Sequence, residues 1–281
     1  MDVVDLREFY ASPLGHASRR LIARRIRSRW SDVSGATILG LGYATPYLDP
    51  FRQEARAALG FMPAEQGVVH WPAEGNSATA LVDEVELPLV DSSVDFVLVA
   101  HGLELTDHPS DMLKEIWRVL APQGRALLIV PNRRGVWARF DSTPFGHGRP
   151  YSRQQLKRML RDQLFSPQQW DNALFVPPFD WRFLVRSAPA WERVGLRLSP
   201  GFAGVLMVEA IKEVYGLSPA KAQRRFAKLR PHIAVPSMRR EPARPRAGAG
   251  SASCLAVAAA TAAPGTVSRA AMEPTLSRPM E

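Results

Sequence analysis

The sequence predicts an α/β fold in which a doubly wound, parallel sheet carries helices on both faces. Short apolar segments that end in Gly or Pro alternate along residues 36–130 with segments of helical spacing. The segment at residues 94–99 is almost wholly apolar, which is typical of a strand buried on both faces. Because strands that alternate with helices of this size form βαβ units, they predict a parallel sheet.

A basic amphipathic helix is predicted ahead of the sheet, within an N-terminal helical segment at residues 1–34. Ile22, Ile26 and Trp30 recur every four residues and form one apolar stripe, while arginines fill the other face. We interpret the arginine face as solvated. The alternative is a helix that binds a membrane surface or a phosphate group.

The predicted sheet elements follow in order. Strands are expected at residues 36–42, 67–71, 78–82, 94–99 and 125–130. Helical spacing is found at residues 47–59 and 109–120, and Pro122 with Gly124 ends the second of these helices. Beyond them we predict a helix at residues 152–164, a strand at 172–176, a helix at 181–194 and a strand at 204–210.

Charge is distributed unevenly along the chain. The 281 residues include 36 Lys+Arg and 27 Asp+Glu, a formal net charge of +9. Residues 218–281 form a basic tail with 11 of the basic and three of the acidic residues, so the rest is almost neutral. From about residue 231 the tail is rich in Ala, Pro, Arg and Ser, which predicts disorder. The alternative is a basic arm for nucleic acid or anionic lipid, but no aromatic residues alternate with these arginines to stack on bases, so a nucleic-acid partner is not expected.

Several protein classes are excluded by composition and motifs. The single cysteine, Cys254, cannot form an intrachain disulfide, and the histidines show no metal-ligand spacing, so no metal is expected. A phosphate-binding loop and a nucleophile elbow are both absent from the sequence. The N-terminus lacks the pattern of a signal peptide and no apolar run is long enough to span a membrane, so we expect a cytoplasmic protein.

A series of motifs occurs in a recognisable order between residues 83 and 132. The segment DEVELPLVDSSVDFVLV is followed by HGLE, DHP, LKEIWRVLAPQGR and VPN. This series resembles class I S-adenosylmethionine-dependent methyltransferases of the small-molecule, type 11-like branch. The resemblance implies a Rossmann-like, mostly parallel seven-stranded sheet over residues 35–217, S-adenosylmethionine as the cofactor, and methyl transfer to a small-molecule acceptor.

The family's cofactor-binding turn follows the first strand and has the pattern acid-x-Gly-x-Gly-x-Gly. Its glycines let the backbone approach the cofactor, and its acid pairs with the ammonium group of the cofactor. The matching stretch here is GLGYATP at residues 40–46. Gly40 stands where the acid would be, Gly42 keeps the first glycine, and Tyr43 follows it.

The family also places acids after its second and third strands. The first of these binds the ribose hydroxyls, and the matching position here holds His70 or Trp71, of which Trp71 would stack on the adenine or cover the ribose. Asp83 matches the second acid, near the adenine amine. The resemblance therefore assigns to the cofactor site Gly40, Gly42, Tyr43, Trp71, Asp83, Glu84 and His101.

An insert at about residues 132–152 carries the candidate catalytic residues. It follows the carboxyl end of the fifth strand, where ligands bind in this class of fold. Glycines flank His147, which we predict to act as the base when the acceptor holds a proton. Arg149 and Tyr151 would position an anionic or phenolic acceptor. The alternative for His147 is a turn histidine bonded to the backbone.

Two functions are compatible with these residues. The first is a methyltransferase, which Asp83 and the insert favour. The second is a non-catalytic methyltransferase-like module that binds another ligand or a protein partner, which the missing acids favour. His101 and Glu104 follow the fourth strand, where we predict that they line the cofactor pocket; the alternative is a structural role.

Overall fold

A seven-stranded, mostly parallel sheet forms the centre of the protein, which confirms the predicted fold class. The computed structural model describes residues 1–179, 187–198 and 200–213. The strands are β1 (Thr37–Gly42), β2 (Ala57–Pro63), β3 (Thr79–Val82), β4 (Val94–Ala100), β5 (Leu120–Pro131), β6 (Phe165–Ala173) and β7 (Val205–Lys212). Their order is β3-β2-β1-β4-β5-β7-β6, and β7 runs antiparallel to both of its neighbours.

Helices pack on both faces of the sheet. The described helices are α1 (Val3–Ala11), α2 (Pro13–Arg29), the short α3 (Thr45–Leu48), α4 (Pro109–Val119), α5 (Arg153–Asp162) and α6 (Ala188–Leu198). Along β4, Leu98 packs with the α1 and α2 side chains, whereas Val97 and Val99 pack with those of α4 and α5. This alternation is the period of two that a strand imposes. Within the described residues, no helix is long and apolar enough to cross a membrane.

The apolar stripe of the predicted amphipathic helix is confirmed in α2. Ile22 and Ile26 are fully buried and Trp30, at the end of the helix, is 1% exposed. The indole Nε1 of Trp30 donates a hydrogen bond to Glu209 Oε1 on β7 at 3.2 Å. The stripe therefore fixes α2 against the face of the sheet.

Part of the arginine face of α2 is paired with carboxylates of the same chain. Arg27 makes two hydrogen bonds of 2.8 Å to the carboxylate of Glu54, before β2. Arg25 and Arg29 approach Asp171 of β6 at 3.5 and 3.4 Å. These paired guanidinium groups link α2 to the segment before β2 and to β6. The sequence predicts a solvated arginine face, and the structure shows that part of it is instead paired.

The chain between β1 and β3 differs from the prediction. The predicted helix at residues 47–59 is wrong beyond its first turn, because α3 and the 3-10 turn Asp49–Phe51 lead into β2. The predicted strand at residues 67–71 is also wrong, since those residues have irregular structure. A short apolar run fits both a helix and a buried strand. Here the parallel pairing of residues 57–61 with β1 decides in favour of a strand.

The later elements keep their predicted order and differ in their bounds. The predicted strands at residues 78–82, 94–99 and 204–210 are confirmed as β3, β4 and β7, and the helices at 109–120 and 152–164 as α4 and α5. β5 begins earlier than predicted, and β6 overlaps the predicted strand at 172–176 only at its end. The predicted helix at 181–194 lies partly outside the described residues, and the predicted disordered tail lies wholly outside them.

Arg118 on α4 holds the loop before β4. Its guanidinium donates to the carbonyl oxygens of Leu87 and Leu89 at 2.8 Å each. It also donates to Asp91 at 2.6 Å and to Glu115 at 2.8 Å. The hydrogen bonds from this guanidinium lower the pKa of Glu115. One planar donor group thus connects the loop to the helix.

We expect Arg118→Ala to lower the free energy of unfolding by about 2 kcal/mol, because the part-buried carbonyls and Glu115 lose a charged donor. Urea unfolding measures this change. Lys114→Ala is the matched control, since Lys114 forms an ion pair on the same helix with a side chain that is 62% exposed. That pair should contribute less than about 0.5 kcal/mol, so equal losses in the two variants would contradict the assigned role.

The contribution of Arg118 to the free energy of unfolding should also depend on pH. A carboxyl whose pKa is lowered by folding stabilises the protein above its ordinary pKa, and this stabilisation is lost as the pH falls through the folded value. The difference in unfolding free energy between wild type and Arg118→Ala should therefore shrink as the pH falls below the ordinary value of 4.5. A constant difference from about pH 7 to about pH 3 would show that Glu115 is not the linked group.

Candidate functional site

The turn after β1 requires a glycine at one position and leaves no room for an acid at another. Gly42 has a φ of +77°, and a Cβ on it would lie 2.4 Å from the carbonyl oxygen of Ala100, at the end of β4. A Cβ on Gly40 would lie 2.7 Å from Leu48 Cδ1. The place of the family's acid is therefore packed against α3.

A buried cluster lies over the carboxyl ends of β1 and β4. We call it the tyrosine–histidine cluster, and it consists of Tyr10, Tyr43, Tyr47, His101 and Glu104. The ring of Tyr10, from α1, stacks on that of Tyr43 with centroids 5.7 Å apart. The Tyr10 hydroxyl lies 2.7 Å from the Tyr47 hydroxyl and 2.8 Å from His101 Nε2. All five side chains are buried, so α1 closes this edge of the sheet.

The tyrosines of the cluster are neutral hydrogen-bonding groups. Burial raises the pKa of Tyr10, Tyr43 and Tyr47, because the phenolate form loses its hydration. The hydroxyls of Tyr10 and Tyr47 therefore keep their protons at neutral pH and form hydrogen bonds within the cluster.

Several polar atoms beneath Tyr10 have no hydrogen-bond partner. In the described part of the chain, the unpaired buried side-chain atoms include Gln66 Oε1, His101 Nδ1 and both carboxylate oxygens of Glu104. Gln66 belongs to this site because its amide donates to the carbonyl oxygen of His101 at 2.7 Å. His101 Nδ1 lies 3.3 Å from Glu104 Oε1 without the geometry of a hydrogen bond. Unpaired buried polar groups are rare, and they commonly mark a functional site.

The end of β2 holds no acid. Leu41 pairs with Phe61, so the residue level with Gly42 is Met62, which is fully buried. The expectation that Trp71 stands at this strand end is wrong, because β2 ends at Pro63. Trp71 is buried elsewhere, where its Nε1 donates to Asp49 Oδ1 at 2.7 Å.

Asp83 and Glu84 follow β3 at the same edge of the sheet. The Asp83 carboxylate is exposed and accepts a hydrogen bond from the backbone of Val85 at 3.0 Å. Glu84 accepts one from the hydroxyl of Thr106 at 2.9 Å, which links the end of β3 to the segment after β4. These two acids therefore lie beside the ends of β3 and β4.

His147 lines a cavity of about 770 Å³ between α1 and the insert, which we call the His147 cavity. Its Nε2 lies 2.8 Å from the carbonyl oxygen of Asp141. Asp5 and Glu8 of α1 contribute to the lining, together with the ring of Phe9. The cavity is thus aromatic and acidic, and α1 separates it from the tyrosine–histidine cluster.

The other two predicted catalytic residues line a different cavity, of about 660 Å³. Arg149 is exposed and forms an ion pair with Asp107 at 2.9 Å. Tyr151 is buried and its hydroxyl donates to the carbonyl oxygen of Leu103 at 3.1 Å. Burial raises the pKa of Tyr151 to about 12. The structure therefore does not bring His147, Arg149 and Tyr151 around one space.

Sequence reasoning missed the contribution of α1 to the site. The available signal was local: Asp2 caps the helix, and Leu6 with Tyr10 forms a buried pair at helical spacing. Such a pattern indicates that one face is buried, but it does not identify what that face covers.

Comparisons with known proteins agree with this architecture. Residues 39–128 match a family model described as a methyltransferase domain. No curated protein matches the chain. The match and the fold confirm the predicted resemblance to class I S-adenosylmethionine-dependent methyltransferases of the type 11 branch, and they imply S-adenosylmethionine as the cofactor.

Three of the solved structures with a similar fold illustrate the likeness. A methyltransferase of Haloferax volcanii, in complex with the Trm112 methyltransferase activator, is 19% identical with a TM-score of 0.52 over 70% of this chain and 90% of that one. A Thermotoga maritima enzyme described as a possible histamine N-methyltransferase is 16% identical, with a TM-score of 0.52 over 75% and 96%. An S-adenosylmethionine-dependent methyltransferase of Archaeoglobus fulgidus is 17% identical, with a TM-score of 0.50 over 69% and 95%.

The residues in this conformation do not fit the implied cofactor. Gly42 retains the close backbone approach of the family's turn, but Gly40 and Met62 stand where the family has acids. The ring of Tyr10 stacks on that of Tyr43, so α1 covers the residues that follow the turn.

We expect Gly42→Ala to lower the free energy of unfolding by at least about 2 kcal/mol, because a Cβ would both strain the backbone and meet β4. Gly35→Ala is the matched control: its φ is +72°, and nothing lies within 4 Å of a Cβ there. It should cost about 1 kcal/mol. Equal losses in urea unfolding would show that the close approach to Ala100 contributes nothing.

Proposed function

We propose that the protein transfers a methyl group from S-adenosylmethionine to a small-molecule acceptor. The observation that carries the proposal is the match of residues 39–128 to a methyltransferase domain, which extends from β1 into β5. The glycine turn after β1 and the acids after β3 lie at one edge of the sheet, where doubly wound folds bind their ligands.

The His147 cavity supports a small-molecule acceptor. Its volume of about 770 Å³ is in the range of small-ligand sites. The ring of Phe9 offers a flat apolar wall, and Asp5 and Glu8 offer negative charge. Such a lining favours an apolar or aromatic molecule that carries an amine or another donor group.

The contact of His147 with Asp141 supports a role of His147 as the base. A carbonyl oxygen only accepts hydrogen bonds, so the contact with Asp141 puts the proton on Nε2. Nδ1 is then the basic atom of the neutral ring, and no described residue occupies it. Arg149 and Tyr151, in the other cavity, would contact only a part of the acceptor that extends there.

A non-catalytic module is the second candidate, and a specific observation favours it. Two of the family's three acids are missing and Tyr10 stacks on Tyr43 beside the β1 turn, which is the arrangement expected of a fold that has changed its ligand or binds a protein partner. Calorimetric titration with S-adenosylhomocysteine separates the two functions. Absence of binding at about 1 mM ligand, in wild type and in Tyr10→Ala, would reject the methyltransferase.

Asp83→Ala should weaken S-adenosylhomocysteine binding about tenfold, because a hydrogen bond to a charged group is lost. Calorimetry measures the dissociation constant. Glu86→Ala is the control, since Glu86 is an exposed acid three residues farther along the same segment. If both variants bind equally, Asp83 does not contact the cofactor.

His147→Ala should leave S-adenosylhomocysteine binding unchanged and lower turnover at least about 100-fold with an acceptor that must lose a proton. Turnover is measured by the release of S-adenosylhomocysteine. An acceptor without such a proton serves as the internal control and should show little change. Equal losses with both acceptors would indicate a structural role for His147.

A further inference from the structure

The edge of the sheet beneath α1 is part of the core, yet it contains buried polar atoms without hydrogen-bond partners. A core is apolar or has its polar groups paired. Here a carboxylate, Glu104, is 1% exposed, and although His101 Nδ1 lies 3.3 Å from its Oε1, neither oxygen accepts a hydrogen bond of good geometry. The amide oxygen of Gln66, 4% exposed, is also unpaired.

The unpaired atoms define the chemistry of the missing partner. Gln66 Oε1 and the two oxygens of Glu104 are all acceptors, and one of these groups is a carboxylate. A ligand that satisfied them would bring hydrogen-bond donors and a positive charge. An ammonium group has both properties.

Tyr10 satisfies only the outer part of this site. Its hydroxyl contacts Tyr47 and His101, at 2.7 and 2.8 Å, and its ring covers Tyr43. It donates nothing to Glu104 or Gln66, whose acceptors remain unpaired. The side chain thus occupies the site without completing its hydrogen bonds.

Leu6 and Tyr10 hold α1 by apolar burial, and few polar contacts add to this attachment. Asp2 caps its start in a capping box, and Ser12 ends it and directly caps α2, so each helix has its own terminal hydrogen bonds. Besides the hydroxyl of Tyr10, the connection of α1 to the strand ends includes a hydrogen bond from the backbone of Val3 to Gln66, at 2.7 Å. Displacing α1 therefore breaks few polar contacts.

We propose that α1 competes with a cationic ligand for this site, and that Glu104 supplies the carboxylate for its ammonium group. Glu104 would then replace the acid that is absent at Gly40. The identification of the ligand as the amino-acid end of the cofactor rests on the proposed function. The competition itself rests on the burial of Tyr10 and the unpaired acceptors beneath it.

The first test is calorimetric titration of the full chain with S-adenosylhomocysteine. Tyr10→Ala removes the competing ring, so the apparent affinity should rise about tenfold or more as the binding-competent fraction increases. Val4→Ala is the matched control, because Val4 is an exposed residue of the same helix and is 46% exposed. Its affinity should equal that of wild type.

The second test removes the charge of Glu104. In the Tyr10→Ala chain, Glu104→Gln should weaken S-adenosylhomocysteine about tenfold, because the contact to the ammonium loses its charge. Methylthioadenosine lacks the amino-acid end and should bind both chains equally. Equal weakening of the two ligands would reject the assignment of Glu104 to the ammonium.

Hydrogen exchange of the wild-type chain tests the competition without a mutation, in case Tyr10→Ala does not fold. The amides of α1 should lose protection when S-adenosylhomocysteine is added. Increased protection would show that α1 covers the ligand instead of yielding to it, which overturns the proposal.

The outcomes distinguish this proposal from the proposed function. If wild type and Tyr10→Ala bind S-adenosylhomocysteine equally well, the competition is rejected and the methyltransferase remains. If neither chain binds it, the methyltransferase is rejected together with the cofactor as the competing ligand. If Tyr10→Ala binds S-adenosylhomocysteine more tightly than wild type, and Val4→Ala binds it as wild type does, the competition and the methyltransferase function are both supported.

Discussion

The close approach of the β1 turn to the end of β4 determines how this site is built. Because Gly42 has no side chain, its Cα can lie against the carbonyl of Ala100, and the next residues, Tyr43 and His101, leave paired strands side by side. One aromatic side chain can then contact both of these residues. Tyr10 does so, because its ring stacks on Tyr43 and its hydroxyl forms a hydrogen bond with His101. The position of α1 therefore depends on the backbone contact between Gly42 and Ala100.

The retention of Glu104 is difficult to explain by packing alone. A buried carboxylate without donors is unfavourable, and an apolar or amide side chain of similar size would fill the same volume at lower cost. Nothing in the described residues donates a hydrogen bond to it. By contrast, the acids expected on β1 and β2 are absent, with Leu48 packed against Gly40 and Met62 buried. The buried negative charge of the site thus lies in the segment after β4, where a displaced α1 would expose it.

Local signals made β1, β4 and α4 predictable, because each has a continuous apolar run or stripe with clear ends. β2 was not predictable, since its short apolar run is compatible with both a helix and a strand, and only its pairing with β1 decides between the two. The role of Tyr10 depends on partners 37 and 91 residues away, which no local pattern encodes. His147 and Tyr151 are close in sequence yet line different cavities. The left-handed turn at Gly148, packed against the carbonyl of Glu104, divides them.

α1 also joins the two spaces that a methyltransferase would need. Tyr10 and Phe9 are neighbours on the helix and point about 100° apart around its axis. The first belongs to the tyrosine–histidine cluster, and the second lines the His147 cavity. A shift of α1 therefore changes both spaces at once. An acceptor that binds the His147 cavity contacts α1 in its docked position, so by thermodynamic linkage it opposes binding of the cofactor at the site of Tyr10, and the cofactor weakens binding of the acceptor by the same factor.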